Sequence, residues 1–166
     1  MWYNKMRISR VGWVIAEMRA PVMLIFGGTM MQKLKICALA EKLPEVNAFL
    51  DPLLEQLQCP GRARCQIELA VEEIFVNIAH YAYGEGTGSA VIAVEALPEL
   101  PGVRIIFEDT GMPYDPLAKE DPDVTLAVHE RKIGGLGIFL VKKTMTRMEY
   151  RYENGKNILT LEKSFA

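Results

Sequence analysis

The sequence predicts a two-layer α/β (α+β) sandwich, a mixed, largely antiparallel sheet with helices on one face. Three observations carry this. The runs KLKICAL (33–39), AVIAVEAL (90–97) and VRIIFED (103–109) are rich in β-branched residues or alternate with the side-chain period of a strand. Two longer runs between them repeat their apolar residues at helical spacing. The strands are also joined by short turns, PELPG (98–102) and Asn154-Gly155, which connect antiparallel neighbours and not parallel ones.

In chain order, the first 30 residues are the least regular. Their basic start and the apolar run PVMLIF (21–26) suggest a signal peptide, but no small-residue cleavage site follows and the run is shorter than the roughly 7–15 residues required. It is also far short of the roughly 20 residues that span a bilayer. Gly27-Gly28-Thr29 can be encoded with GGAGG a few bases before an ATG, the layout of a bacterial ribosome-binding site. Translation is therefore expected to begin at Met30 or Met31, which makes 1–30 an upstream extension and 31–166 a single domain.

KLKICAL opens the regular part as a strand. LPEVNAFLDPLLEQL (43–57) then places Val46, Phe49, Leu50, Leu53, Leu54 and Leu57 at helical spacing, and Pro52 is expected to bend or split that helix. The turn QCPGRA (58–63) leads into a long helix from about Arg64 to Tyr83, with Ile67, Val71, Ile74 and Ile78 on one stripe. GEGTGS (84–89) ends it, and two strands follow. From Met112 to Lys132 the chain has three prolines and no period, and a stretch that long without structure in a small domain is usually functional. IGGLGIFLVKKTM (133–145) reads as glycines opening a helix. RMEYRYENGKNILTLEKSF (147–165) is a closing hairpin, whose Asn-Gly pair suits a type I′ turn.

Composition narrows the function. A chain of 166 residues, 50% of them apolar, is long enough for one well-cored domain and short for two. With 19 Lys and Arg against 21 Asp and Glu, the net charge of −2 calls for neither nucleic acid nor a membrane surface as partner. Protein or small-molecule ligands remain. Cys37, Cys59 and Cys65 are odd in number and lack the companions of a zinc site, so they read as reduced thiols of a cytoplasmic protein.

Three stretches interrupt the apolar plan. In VEEIFVNIAHYAYG (71–84), Glu73, Asn77 and His80 are spaced four and three, which puts them on one helical face away from the isoleucines. That face could simply be solvated. The Asn77 carboxamide oxygen would also suit Mg²⁺, a hard cation that keeps most of its water and phosphate ligands. In FEDTGMPYDP (107–116), Asp109 ends a core strand, where a carboxylate can accept from an exocyclic amine, and Gly111 lets a flat ring lie against the backbone. A plain turn explains the same residues. In IGGLGIFLVKK (133–143), Gly134, Gly135 and Gly137 permit close approach, and the amides at the helix start offer an anion site. The run matches neither a P-loop nor the dinucleotide fingerprint.

In this order the three stretches resemble the N, G1 and G2 boxes of the GHKL ATPase superfamily, shared by gyrase, heat-shock chaperones, histidine kinases and mismatch-repair proteins. Within it, EEIFVNIAHYAYG, DTGMPYDP and GGLGIFLVKK look most like the anti-sigma-factor serine kinases of bacterial partner-switching systems. The resemblance covers about Lys33 to Phe165. It implies the ATP-binding Bergerat fold, with ATP and Mg²⁺ as cofactors. It also implies roles: Glu73 as general base toward a serine hydroxyl or water, Asn77 on Mg²⁺, Asp109 on the adenine amine and Gly111 beneath the ring. Gly134, Gly135 and Gly137 would hinge a lid over the phosphates, and Arg131 or Lys132 would reach the γ-phosphate. His80 falls one place earlier than the histidine many such kinases carry, so it receives no role.

Two functions follow from the resemblance. One is an ATP-dependent serine/threonine kinase that phosphorylates a small antagonist protein and alternates it with a sigma factor, as a possible homodimer. The other is a nucleotide-gated protein-binding module without phosphoryl transfer. A sensor histidine kinase fits less well, because no phosphoacceptor hairpin precedes the domain.

Overall fold

Alternation along β4 (Gly102–Asp109) divides the sheet into two faces: Val103, Ile105, Phe107 and Asp109 are buried, while Arg104, Ile106 and Glu108 between them are partly exposed. The computed structural model describes residues 22–26, 29–118 and 136–166. Besides β4, its strands are β1 (Val22–Phe26), β2 (Thr29–Cys37), β3 (Ser89–Ala96), β5 (Arg147–Glu153) and β6 (Lys156–Ser164). The helices are α1 (Leu43–Gln56), α2 (Gly61–Asn77) and α3 (Leu136–Thr144).

The six strands form one sheet in the order β1-β2-β3-β4-β6-β5, and every neighbouring pair is antiparallel. The α/β sandwich is therefore present, and no parallel pair occurs among the described strands. β1 is an addition to the expected strands. It falls within the stretch set aside as an extension and pairs with β2 from Val22 opposite Lys33 to Phe26 opposite Thr29.

The core lies between the helices and one face of the sheet. Ile92, Val94, Val103, Ile105, Phe107, Leu159 and Leu161 meet Val46, Leu50, Leu54, Ile67, Val71, Ile74 and Phe75 of the helices. Burying a side chain of this size contributes about 1.5–3 kcal/mol, which is why the helical stripes and the strand alternation were readable beforehand. On the opposite sheet face, Arg104 spans two strands, to Glu95 at 2.6 Å and Glu162 at 2.8 Å. Both carboxylates raise the guanidinium's already high pKa, Glu162 the more strongly.

Two local expectations are corrected. Pro52 does not split α1, which runs unbroken through it. Pro52 and Ala48 are both exposed, so the carbonyl that loses its helical partner faces water. The second helix does not continue regularly to Tyr83 either. It ends at Asn77 and widens into one π turn over Ile78–Ala82, a distortion often found beside functional sites.

The closing hairpin matches its sequence. Asn154 and Gly155 have φ of 53° and 75°, the left-handed pair that a type I′ turn requires.

Candidate functional site

Asp109 reaches the site because strand periodicity carries it to the helix-facing side, one repeat beyond Phe107. Only 7% exposed, it holds its carboxylate through a single oxygen. Oδ1 accepts from the Gly111 backbone N–H at 2.9 Å and from Asn157 Nδ2 at 2.8 Å. Oδ2 accepts from no described residue. A buried carboxylate held by two donors keeps its orientation.

Gly111 is needed for a close approach. A Cβ there would come within 2.6 Å of the Ala82 methyl and overlap the Ala82 carbonyl, and the next residue, Met112, donates its N–H to that carbonyl at 2.8 Å. The loop after β4 is thus fastened to the π turn. Tyr83 fastens the same corner from below: its hydroxyl donates to the Ser89 carbonyl at 2.6 Å and accepts from the Thr110 N–H at 3.2 Å. Its ring covers Gly88, where any side chain would collide with it.

On the helical side, Glu73 and Asn77 lie one turn apart on α2 and are both partly buried, whereas the adjacent Glu72 is exposed. The Glu73 carboxylate lies directly against Gly137, near the start of α3, and a Cβ at 137 would overlap it. The Asn77 carboxamide makes no hydrogen bond to any described residue and caps no helix. His80 is exposed in the π turn, edge-on to Tyr81 with ring centroids 6.0 Å apart. The wider turn carries it off the helical period that aligns Glu73 with Asn77.

The structure therefore places Asp109 and Gly111 on one side of the π turn, and Glu73, Asn77 and Gly137 on the other. Arg131, Lys132, Gly134 and Gly135 lie outside the described residues, as does most of the expected lid. Of that segment, 112–118 is described: Asp115 Oδ1 accepts from the Leu117 N–H at 2.8 Å, and Pro116 is buried.

Sequence reasoning missed Asn157. It stands opposite Asp109 in the β4–β6 register, 7% exposed, among the core-facing positions of β6. A signal was present in NILTL (157–161): an asparagine occupies the position where Leu159 and Leu161 repeat inward. A polar side chain in that series needs a buried partner.

The described residues thus bring together an acceptor buried at a strand end, a glycine that a side chain could not replace, and, on the neighbouring helix, a carboxamide with no hydrogen bond to any of them. The family model described as a histidine kinase-like ATPase domain matches residues 36–163. This chain belongs to the histidine kinase-like ATPase family. The match confirms the superfamily resemblance, and membership implies ATP binding.

The chain is similar to the serine/threonine-protein kinase BtrW of Bordetella bronchiseptica, 28% identical over 101 residues that cover 61% of this chain and 70% of that protein. It is also similar to the serine-protein kinase RsbW of Halalkalibacterium halodurans, 29% identical over 93 residues, 54% of this chain and 56% of that one. The chain thus matches little more than half the length of the second relative. Among its described residues no helix is long and apolar enough to cross a membrane.

Proposed function

We propose that this member of the family is an ATP-dependent protein serine/threonine kinase whose substrate is a small antagonist protein, in a partner-switching system that also involves a sigma factor. The observation that carries the reading is a pair of groups flanking the π turn that have no hydrogen-bond partner among the described residues, Asp109 Oδ2 and the Asn77 carboxamide. The names of the two kinase relatives support the transfer chemistry.

In this mechanism Asp109 accepts from the adenine amine while the ring lies over Gly111. Asn77 would supply one oxygen to Mg²⁺, a cation suited to a site with a single protein ligand because it retains waters and phosphate oxygens. When bound, Mg²⁺ neutralises charge on the phosphates. Glu73 takes the proton from the serine hydroxyl as that oxygen bonds to the γ-phosphorus, and ADP departs with the electron pair of the broken P–O bond. Gly137 leaves room for the Glu73 carboxylate beside α3. Gly134, Gly135 and Arg131 are assigned to the phosphates by resemblance.

A second reading, nucleotide-gated protein binding without transfer, is favoured by one observation. Tyr81, Met112 and Tyr114 are 67%, 62% and 56% exposed around the same corner, where a partner could cover them.

Titration calorimetry with Mg·ATP tests the shared part of both readings. The wild-type chain binds, and Asp109→Ala weakens binding about 30- to 100-fold, the loss expected for a hydrogen bond to a charged group. Equal affinity in the two proteins would remove Asp109 from the site.

A further inference from the structure

The side chain that orders the base-binding end of the site is Asn157, on a strand that carries none of the motif residues. Its Nδ2 donates to Asp109 Oδ1 at 2.8 Å and to the Met112 carbonyl at 3.1 Å, with the Gly111 carbonyl at 3.5 Å. Its Oδ1 accepts from the Tyr150 hydroxyl at 2.8 Å and from the Tyr114 N–H at 3.1 Å. Donors face one end of the amide and acceptors the other, so the carboxamide has a single orientation. Reversing it would set an oxygen against the Asp109 carboxylate and an NH₂ against the Tyr114 N–H, which can only donate.

We propose that Asn157 is a positioning residue for nucleotide selectivity: by holding Asp109 Oδ1 it leaves Oδ2 alone to face the base, which favours an amine at purine position 6 and repels a carbonyl. This rests on the reading of Asp109 as the base acceptor. Gly111 N–H and Asn157 Nδ2 together fix the carboxylate plane, so Asp109 cannot turn away from a ligand that presents an acceptor. Tyr150 supports the arrangement from β5. Burial, the largest influence on its phenol, raises the pKa and keeps it a donor. The Tyr114 N–H contact ties the same carboxamide to the first residues of the loop, so base recognition and the placement of that loop share one anchor.

The test compares ATP with inosine triphosphate, which carries a carbonyl in place of the amine, by calorimetry on the full chain in Mg²⁺ buffer. Wild type should prefer ATP by at least about tenfold, because a site built to accept from an amine leaves its acceptor facing a carbonyl oxygen in the wrong ligand. Asn157→Leu keeps the branching of the side chain, is somewhat larger, and cannot donate. It should lower ATP affinity and reduce the ATP-to-inosine preference by about tenfold or to parity. A loss that was merely structural would weaken both ligands equally and leave the ratio unchanged, which would overturn the proposal. If Asn157→Leu does not fold, Tyr150→Phe removes only the phenolic donor and should shift the ratio in the same direction. An unchanged ratio in Tyr150→Phe would then overturn the proposal. A wild-type chain that binds the two nucleotides equally would instead defeat the Asp109 reading on which the proposal stands.

Discussion

The carboxylate of Glu73 occupies the place where a Cβ at Gly137 would stand, across the α2–α3 interface, leaving no room for a side chain at position 137. The atom that a methyl would displace is the far end of a flexible side chain. Gly137→Ala should therefore change stability by no more than about 1 kcal/mol, since alanine also gains helix propensity over glycine. Phosphoryl transfer should fall about 100-fold, the cost of misplacing a reacting group by about an ångström. Thermal unfolding beside a turnover assay separates the two effects, and full activity in this variant would count against Glu73 as the base.

Gly111 gives the opposite balance. Its neighbour is the backbone of Ala82, which cannot move aside as a carboxylate can. Gly111→Ala should cost about 1–3 kcal/mol, an overpacking penalty, and lower Tm by roughly 3–10 °C in a domain of this size. A melting curve that matched wild type would mean that the loop relaxes freely off the π turn.

Asn77→Ala addresses the metal. If the carboxamide helps to hold Mg²⁺, the gain in ATP affinity on adding Mg²⁺ should shrink in the variant, while binding of ATP in chelator stays near wild type. A gain equal to wild type would leave Asn77 as a structural asparagine at the end of α2.

The cysteines give a test that is independent of the nucleotide. Burial pushes the Cys59 thiol up from its usual pKa, with a smaller opposing effect from Arg64, while Cys37 and Cys65 are exposed. The reactive species is the thiolate. Thiol reagents at neutral pH should therefore modify Cys37 and Cys65 before Cys59, and raising the pH should accelerate Cys59 as its thiolate forms. Mass spectrometry of the alkylated peptides gives the order, and early labelling of Cys59 would contradict its burial.

The sequence carried the sheet and helices wherever a period set by burial ran long enough to read, as in the alternation of β4 and the α2 stripe. Local backbone events were less legible. Pro52 looked like a break because proline lacks an N–H, yet its exposed position makes that loss tolerable. The π turn after Asn77 left no mark on composition, and it is the feature that brings Ala82 under Gly111. β1 was hidden in a short apolar run whose role depends on a partner strand. For the site, the motif residues Glu73, Asn77, Asp109 and Gly111 stood out as polar or flexible interruptions of an apolar plan. Asn157 did not, because its significance comes from lying opposite Asp109 across β4 and β6, 48 residues away in the chain.

Transfer of phosphate to a protein is tested most directly by giving this chain γ-labelled ATP and Mg²⁺ in a lysate of its host, beside Glu73→Gln. Glutamine keeps the shape of glutamate and cannot take the proton, so transfer should fall by about 10²–10⁴ while ATP binding persists. The expected result is label on a serine or threonine of a small co-retained protein with the wild-type chain and not with the variant. Retention of a partner that never gains label, by a chain that binds ATP tightly, would contradict the kinase reading and make the nucleotide a switch ligand.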